Sequence, residues 1–268
     1  MRNLIPILLA VVILSSGCDP DGYSCNSEGC YVDADNPQYQ TLEDCNNLCE
    51  NPKPSKCGSP VLYDDYFYST IQIGEQCWFA ENLNTSKYNN GDDIPNIQDD
   101  GQWSDLNQDE TGAWAYYNND PDYSWGGNFW SPIYTKLYNW YAVNDSRSLC
   151  PSGWHVPSHD EWIVLTDLLG GSGVAGYSMK ADYGWGDESS YQGSNSSGFS
   201  GLPGGYRTSE GDFNFWSSGY FWSSSNYILQ DFENYDLAWF HGLNLGNNFF
   251  DSYDYLQSSG MSVRCLRD

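Results

Sequence analysis

Cys150-Pro-Ser-Gly-Trp-His-Val-Pro-Ser-His-Asp-Glu-Trp-Ile-Val-Leu165 is the stretch whose reading decides the fold. Ser158 precedes Glu161 by three residues, the spacing of a capping box. The Ser hydroxyl accepts from an orphan first-turn amide while the Glu reaches back to the cap amide. Trp162, Leu165 and Leu169 then share one helical face, with Leu168 beside them. Gly170-Gly171 supplies the stop where a left-handed residue is easiest to place. The spacing predicts one amphipathic helix of about three turns, docked by Trp162. His155 and His159 invite a metal reading. No nearby Cys or spaced His completes a ligand set, so polar residues bordering a helix cap are the stronger reading.

Upstream, the chain opens with a targeting segment. Met1-Arg2-Asn3 is weakly basic, residues 4–14 are mostly apolar, and Ser15-Ser16-Gly17-Cys18 follows. The run is too short for a stable bilayer anchor, so 1–17 reads as a signal peptide. Small residues before Cys18 resemble a lipobox, although Ser15 stands where Leu is usual. The expectation is a bacterial lipoprotein of the cell envelope, at the outer membrane or cell surface, held to membrane through lipid on Cys18 alone. Of the nine cysteines, eight remain after Cys18: Cys25, Cys30, Cys45, Cys49, Cys57, Cys77, Cys150 and Cys265. An even set in an exported chain argues for disulfides rather than zinc.

The formal charge is −26, from 36 acids against 10 bases. That excludes nucleic-acid binding through phosphates and charge-driven adhesion to anionic lipid. Surface carboxylates for solubility are the plainest account of it. With 12 Trp and 22 Tyr, aromatic side chains must supply much of the core.

In chain order, 18–56 reads as a small cysteine-rich module and linker. Cys25 to Cys30 forms a tight loop, and Thr41 to Cys49 a helical turn with Cys45 and Cys49 one turn apart. Spacing leaves the pairing open; Cys25 with Cys45 and Cys30 with Cys49 is one choice. The larger domain covers 57–268. Val61 to Phe79 reads as two short strands with Cys57 and Cys77 in bridging range. Residues 84–128 carry turn formers and carboxylates without hydrophobic periodicity. They read as a long loop, one that could bind calcium. Residues 136–145 read as a short helix or buried segment, and 170–176 as a flexible loop. Phe221 to Ser225, Asp236 to Leu245 and Gly260 to Arg267 read as three strands, the last bringing Cys265 within reach of Cys150.

Six ordered motifs then carry a resemblance. They are Ile73-Gly-Glu-Gln-Cys-Trp-Phe-Ala-Glu-Asn-Leu-Asn84, Leu137-Tyr-Asn-Trp-Tyr-Ala-Val-Asn-Asp145, and Leu149 to Trp162. Gly198-Phe-Ser-Gly-Leu-Pro-Gly-Gly-Tyr-Arg207, Phe221-Trp-Ser-Ser-Ser225 and Ser262-Val-Arg-Cys-Leu-Arg-Asp268 complete them. Together they resemble the Fibrobacter succinogenes major paralogous domain, a family of exported bacterial proteins without an established activity. More distantly, Val156-Pro-Ser-His-Asp-Glu-Trp162 and Gly260-Met-Ser-Val-Arg-Cys265 are similar to motifs of the C-type-lectin-like superfamily, which includes formylglycine-generating enzymes. That likeness implies an α+β fold with small twisted antiparallel sheets, few short helices, long ordered loops and disulfide staples. The reactive cysteine pair of those enzymes has no counterpart between Trp216 and Leu245, so copper-dependent oxidase chemistry does not transfer.

No GxSxG, HExxH, Walker or dinucleotide motif occurs, and the acids cannot be paired for catalysis without spatial separations. The favoured reading is a surface binding module for a glycan or cell-surface protein. The alternatives are a structural envelope protein and, behind it, a hydrolase or oxidase. Trp103, Trp125, Trp130, Trp222 and Trp239 are the candidates for a stacking platform, although for each a core role is the stronger reading, because this composition leaves aromatics to build the interior. No cofactor is required by this reading, calcium aside.

Overall fold

The computed structural model describes residues 23–26, 29–32, 56–122, 136–186, 192–214, 217–228 and 236–268. The chain divides into two compact units, Met1–Ser55 and Lys56–Asp268. In the first, β1 (Tyr23–Asn26) and β2 (Gly29–Val32) form a hairpin that sets Cys25 opposite Cys30. The segment read as a tight loop is therefore a strand pair. The signal peptide, Cys18, the Thr41–Cys49 turn, Cys45 and Cys49 lie outside the described residues.

The second unit is mostly β, with several small antiparallel sheets, few short helices, and the disulfides Cys57–Cys77 and Cys150–Cys265. The segment read as two strands is two hairpins: β3 (Val61–Tyr63) with β4 (Tyr66–Tyr68), and β5 (Thr70–Ile73) with β6 (Gln76–Phe79). Asp64 and Asp65 make the extra turn at φ 47° and 59°, a conformation that Asp tolerates better than most residues.

β6 pairs with β16 (Leu266–Arg267), which pairs in turn with β9 (Trp154–His155). The last strand thus occupies the middle of a four-stranded sheet ordered β5-β6-β16-β9. Because side chains alternate across a strand, this sheet separates two aromatic clusters. Trp78 faces one, 4.6 Å from Trp162, while Phe79 faces the other, 4.6 Å from Trp154. Cys265 shares the Phe79 side and meets Cys150 there.

A second sheet runs β11-β10-β15-β8-β7. Its members are β7 (Trp114–Ala115), β8 (Leu137–Asn139), β10 (Tyr206–Arg207), β11 (Phe213–Asn214) and β15 (Gly260–Met261). The closing segment read as one strand is therefore two strands, β15 and β16, in different sheets. Arg264 lies between them. A third sheet stacks β12 (Ser218–Tyr227), β13 (Leu237–Asn244) and β14 (Phe250–Leu256) edge to edge.

Among the helices, α3 (His159–Leu168) follows the sequence reading. Ser158 Oγ accepts from Glu161 N, and Glu161 Oε2 accepts from Ser158 N at 2.8 Å. Trp162 and Leu165 are fully buried, but Leu168 is 55% exposed. Two expectations change, and the reading of 136–145 as a short helix or buried segment holds. Residues 100–109 are a helix, α1 (Asp100–Asp109), capped by Asp99, inside the stretch read as loop. Only Trp103 and Leu106 of that acidic helix are buried, so it shows no periodic stripe. Residues 136–145 hold both β8 and a single turn, α2 (Trp140–Val143), capped by Asn139. The glycine-rich run after α3 is helix α4 (Ser172–Met179) rather than a flexible loop. Its glycine has a packing reason: a Cβ on Gly176 would stand 2.4 Å from Phe249 O and 2.8 Å from Asn248 O.

Four of the ten bases lie inside this unit: Lys136, Lys180, Arg207 and Arg264 are each at most 6% exposed. Each donates to backbone carbonyls beneath aromatic rings. Desolvation pulls all four away from the charged form; the hydrogen bonds and ring faces offset that cost. Drawing cations inward leaves the surface more acidic than the composition alone implies.

Candidate functional site

All three histidines of the chain gather around the start of α3. His155 Nδ1 lies 2.6 Å from Asp268 Oδ1, and its Nε2 lies 3.0 Å from the capping Glu161 Oε1. The His159 ring stacks on Trp239 at 4.1 Å, and His241 lies 5.2 Å from His159. Among the described residues no group of three or more His, Cys, Asp or Glu is arranged to hold a metal ion. The acids near α1 have structural duties: Asp99 caps the helix, and Asp100 pairs with Arg207 at 2.8 Å.

A cleft of about 220 Å³ opens beside this cap, lined by Asn144, Asp145, Cys150, Trp154, His155 and Ser224. Ser224 and His155 both line it. Both ring nitrogens of His155 face carboxylate oxygens, so neither is open to take a proton from Ser224.

His241 is 1% exposed, and burial, with His159 beside it, pulls it down to about 3. The unfolded chain binds its proton near 6.5 while the folded chain stays neutral. The His241 contribution to stability is therefore complete above 6.5 and is lost as pH falls below it, by about 1.4 kcal/mol per pH unit. Urea unfolding at pH 7.5 and 4.5 is expected to show a loss of about 3 kcal/mol from this group. His241→Leu should lack that component while keeping the slope due to carboxylates.

The Trp candidates for a stacking platform divide three ways. Trp103 and Trp222 are fully buried and offer no face to a ligand, which corrects their assignment. The indole of Trp222 donates to Tyr138 O at 2.8 Å in the interior, and Trp103 lies under the Arg207 guanidinium at 4.4 Å. Both rings are spent on the core. Trp239 is half-buried, wedged between His159 and Tyr227. Trp125 and Trp130 lie outside the described residues.

The aromatic surface of the third sheet is built instead from tyrosine. On β13, Ala238, Phe240, Gly242 and Asn244 share one face. Across from Gly242 stands Tyr220; Tyr253 lies across from Phe240, and Tyr255 from Ala238. Tyr206 joins from β10, 5.6 Å from Tyr220 and 5.5 Å from Tyr255, edge-on to both. Tyr253 stacks on Phe240 at 5.4 Å, and Tyr220 meets the same ring edge-on at 5.4 Å.

Gly242 makes room for this arrangement. A Cβ there would stand 3.1 Å from Tyr220 and 3.6 Å from Tyr253, so two rings lie side by side over bare backbone. Tyr253 is 41% exposed and Tyr206, Tyr220 and Tyr255 are half-buried. The Tyr253 hydroxyl donates to Asp251 Oδ2 at 3.4 Å. Burial raises Tyr206, Tyr220 and Tyr253, with Asp251 adding to the shift at Tyr253. The hydroxyls stay neutral donors and acceptors across the physiological range.

These tyrosines were missed in the sequence because β14 reads Phe-Asp-Ser-Tyr-Asp-Tyr-Leu, with charge between the rings. The period-two spacing of Tyr253 and Tyr255 was the available signal.

No curated protein and no solved structure matches this chain. The family model for the Fibrobacter succinogenes major domain matches residues 71–267. That span holds α3 with its cap, the cleft, the Cys150–Cys265 bridge and every strand of the tyrosine face, and the chain belongs to the Fibrobacter succinogenes major domain family.

Proposed function

We propose that the 56–268 unit is the binding module of an exported, lipid-anchored bacterial envelope protein, and that its tyrosine face takes a neutral oligosaccharide. The observation that carries this reading is the group of Tyr206, Tyr220, Tyr253 and Tyr255 around Phe240, with two rings flanking Gly242. Sugar rings present C–H faces that stack on aromatic planes, and neutral phenols supply hydrogen bonds at the rim. Asp251 adds an oriented acceptor. The surplus of acids in the chain disfavours uronic or sulfated polymers.

The likeness of the α3 start and the closing strands to C-type-lectin-like motifs supports the same reading at the level of fold, where analogy alone does not assign a ligand. A structural role without a ligand would share the disulfides and the buried cations. It accounts for Tyr206, Tyr220 and Tyr255 as rings packed against the core, but leaves Tyr253, 41% exposed, without a role.

Binding to a panel of insoluble polysaccharides, followed by titration with oligosaccharides of the best polymer, tests the proposal. Tyr220→Ala and Tyr253→Ala are each expected to weaken binding about tenfold, or ~1.4 kcal/mol. Near-ultraviolet circular dichroism of the buried tryptophans should stay unchanged in both variants. Full affinity in both would contradict the site.

A further inference from the structure

His159 Nδ1 and His241 Nε2 are buried, and neither has a hydrogen-bond partner among the described residues. Native interiors rarely leave such atoms unpaired. His241 is 1% exposed on β13, and His159 is half-buried in the first turn of α3. Their ring centroids stand 5.2 Å apart, with 32° between the planes.

That separation fits a shared metal ion. A ring nitrogen lies about 1.1 Å from its centroid and about 2.0–2.1 Å from a bound zinc, so two imidazoles on one tetrahedral ion place their centroids roughly 5.2 Å apart. The neighbouring rings clamp both imidazoles, as a metal site requires of its ligands. Trp239 stacks on His159 at 4.1 Å, while Trp162 and Phe250 each stack on His241 at 5.4 Å. The backbone of His159 is held as well, its N–H donating to Ser225 Oγ at 3.0 Å. Burial lowers the proton affinity of both histidines, against the pull of Asp160 at His159 and with a push from His159 at His241. Both stay in the neutral form that binds metal.

We propose that His159 and His241 together bind one divalent transition-metal ion, zinc or copper, with its remaining positions open to water or to an oxygen of a ligand. The donors select the metal: imidazole suits zinc and copper, whereas calcium and magnesium take oxygen ligands. Solvent reaches the ion on the side of the half-buried His159. His155 takes no part, because both of its ring nitrogens face carboxylates.

Calorimetric titration of the full chain with zinc chloride, disulfides intact and prior metal removed by chelation, is the test. Excess magnesium is present throughout to occupy the surface carboxylates, which the formal charge of −26 makes numerous. The expected result is one zinc per chain, with binding lost in His241→Leu and His159→Gln and kept in His155→Gln. Nuclear magnetic resonance of the imidazoles in the wild-type chain needs no variant: zinc should shift the rings of His159 and His241 and leave His155 unmoved. Zinc should also raise the urea midpoint above that of the metal-free protein. Zinc uptake unchanged in both variants, uptake abolished by magnesium, or unshifted His159 and His241 rings in the wild-type chain overturns the pair as a metal site.

Discussion

Replacing Cys150 and Cys265 together by alanine is expected to cost the 56–268 unit about 5 kcal/mol, against about 3 kcal/mol for Cys57 and Cys77. The difference comes from loop length. The first bridge spans 115 residues and the second 20, and the entropy withheld from the unfolded chain grows with the logarithm of that length. The long bridge also fastens the loop before α3 to the strand at the centre of the four-stranded sheet. Urea unfolding of the two double variants, with the slope fitted for each because the unfolded chain expands without its bridge, gives the comparison. Equal losses would mean that the long loop is already closed in the unfolded state by other contacts.

Arg264→Met is expected to be comparably severe, about 3–5 kcal/mol. The guanidinium is fully buried and, among the described residues, has no carboxylate partner within ion-pair distance. It donates instead to Asn82 Oδ1 at 2.7 Å, Phe79 O at 2.9 Å, Phe199 O at 2.7 Å and Ser200 O at 3.1 Å, and lies 4.3 Å from the Phe199 ring. Methionine fills part of the volume but leaves four buried acceptors without their donor. Arg264→Lys should recover little, because one ammonium cannot span four divergent acceptors. Denaturant unfolding of both variants checks this; a loss below about 1 kcal/mol for Arg264→Met would show that water replaces the donor.

Much of the scaffold was legible in the sequence, and the reasons are local. Ser158 and Glu161 act through near neighbours, so the cap of α3 was readable from their spacing. Cys150 with Cys265, and Cys57 with Cys77, followed from the order of the segments. The failures share another cause. α1 is an acidic helix whose buried residues, Trp103 and Leu106, are too few to make a stripe. α4 carries Gly176 where the backbone of Asn248 and Phe249, just before β14, approaches it closely, which only the tertiary structure reveals.

The candidate site was less legible. Exposure cannot be read from residue type in a chain whose core is aromatic, and so Trp103 and Trp222 were misplaced. The Trp140 and Trp222 indoles went inside where a backbone carbonyl accepts from the ring N–H, Ser223 O at 2.9 Å and Tyr138 O at 2.8 Å, whereas Trp103 Nε1 is buried without a partner. The phenols of β12 and β14 stayed at the surface, where the hydroxyl can reach solvent. The histidines held the chemistry of first appearance, yet His155 is engaged by Glu161 and Asp268 on both nitrogens.

The most direct measurement is nuclear magnetic resonance of protein labelled at tyrosine, histidine and tryptophan, titrated with a neutral oligosaccharide chosen from the polysaccharide panel. The expected result is saturable shifts confined to the rings of Tyr206, Tyr220, Tyr253 and Tyr255, with the resonances of His155 and Trp154 at the cleft unmoved. Shifts centred on the cleft, or no saturable response from any sugar of the panel, would contradict the tyrosine face as the binding site.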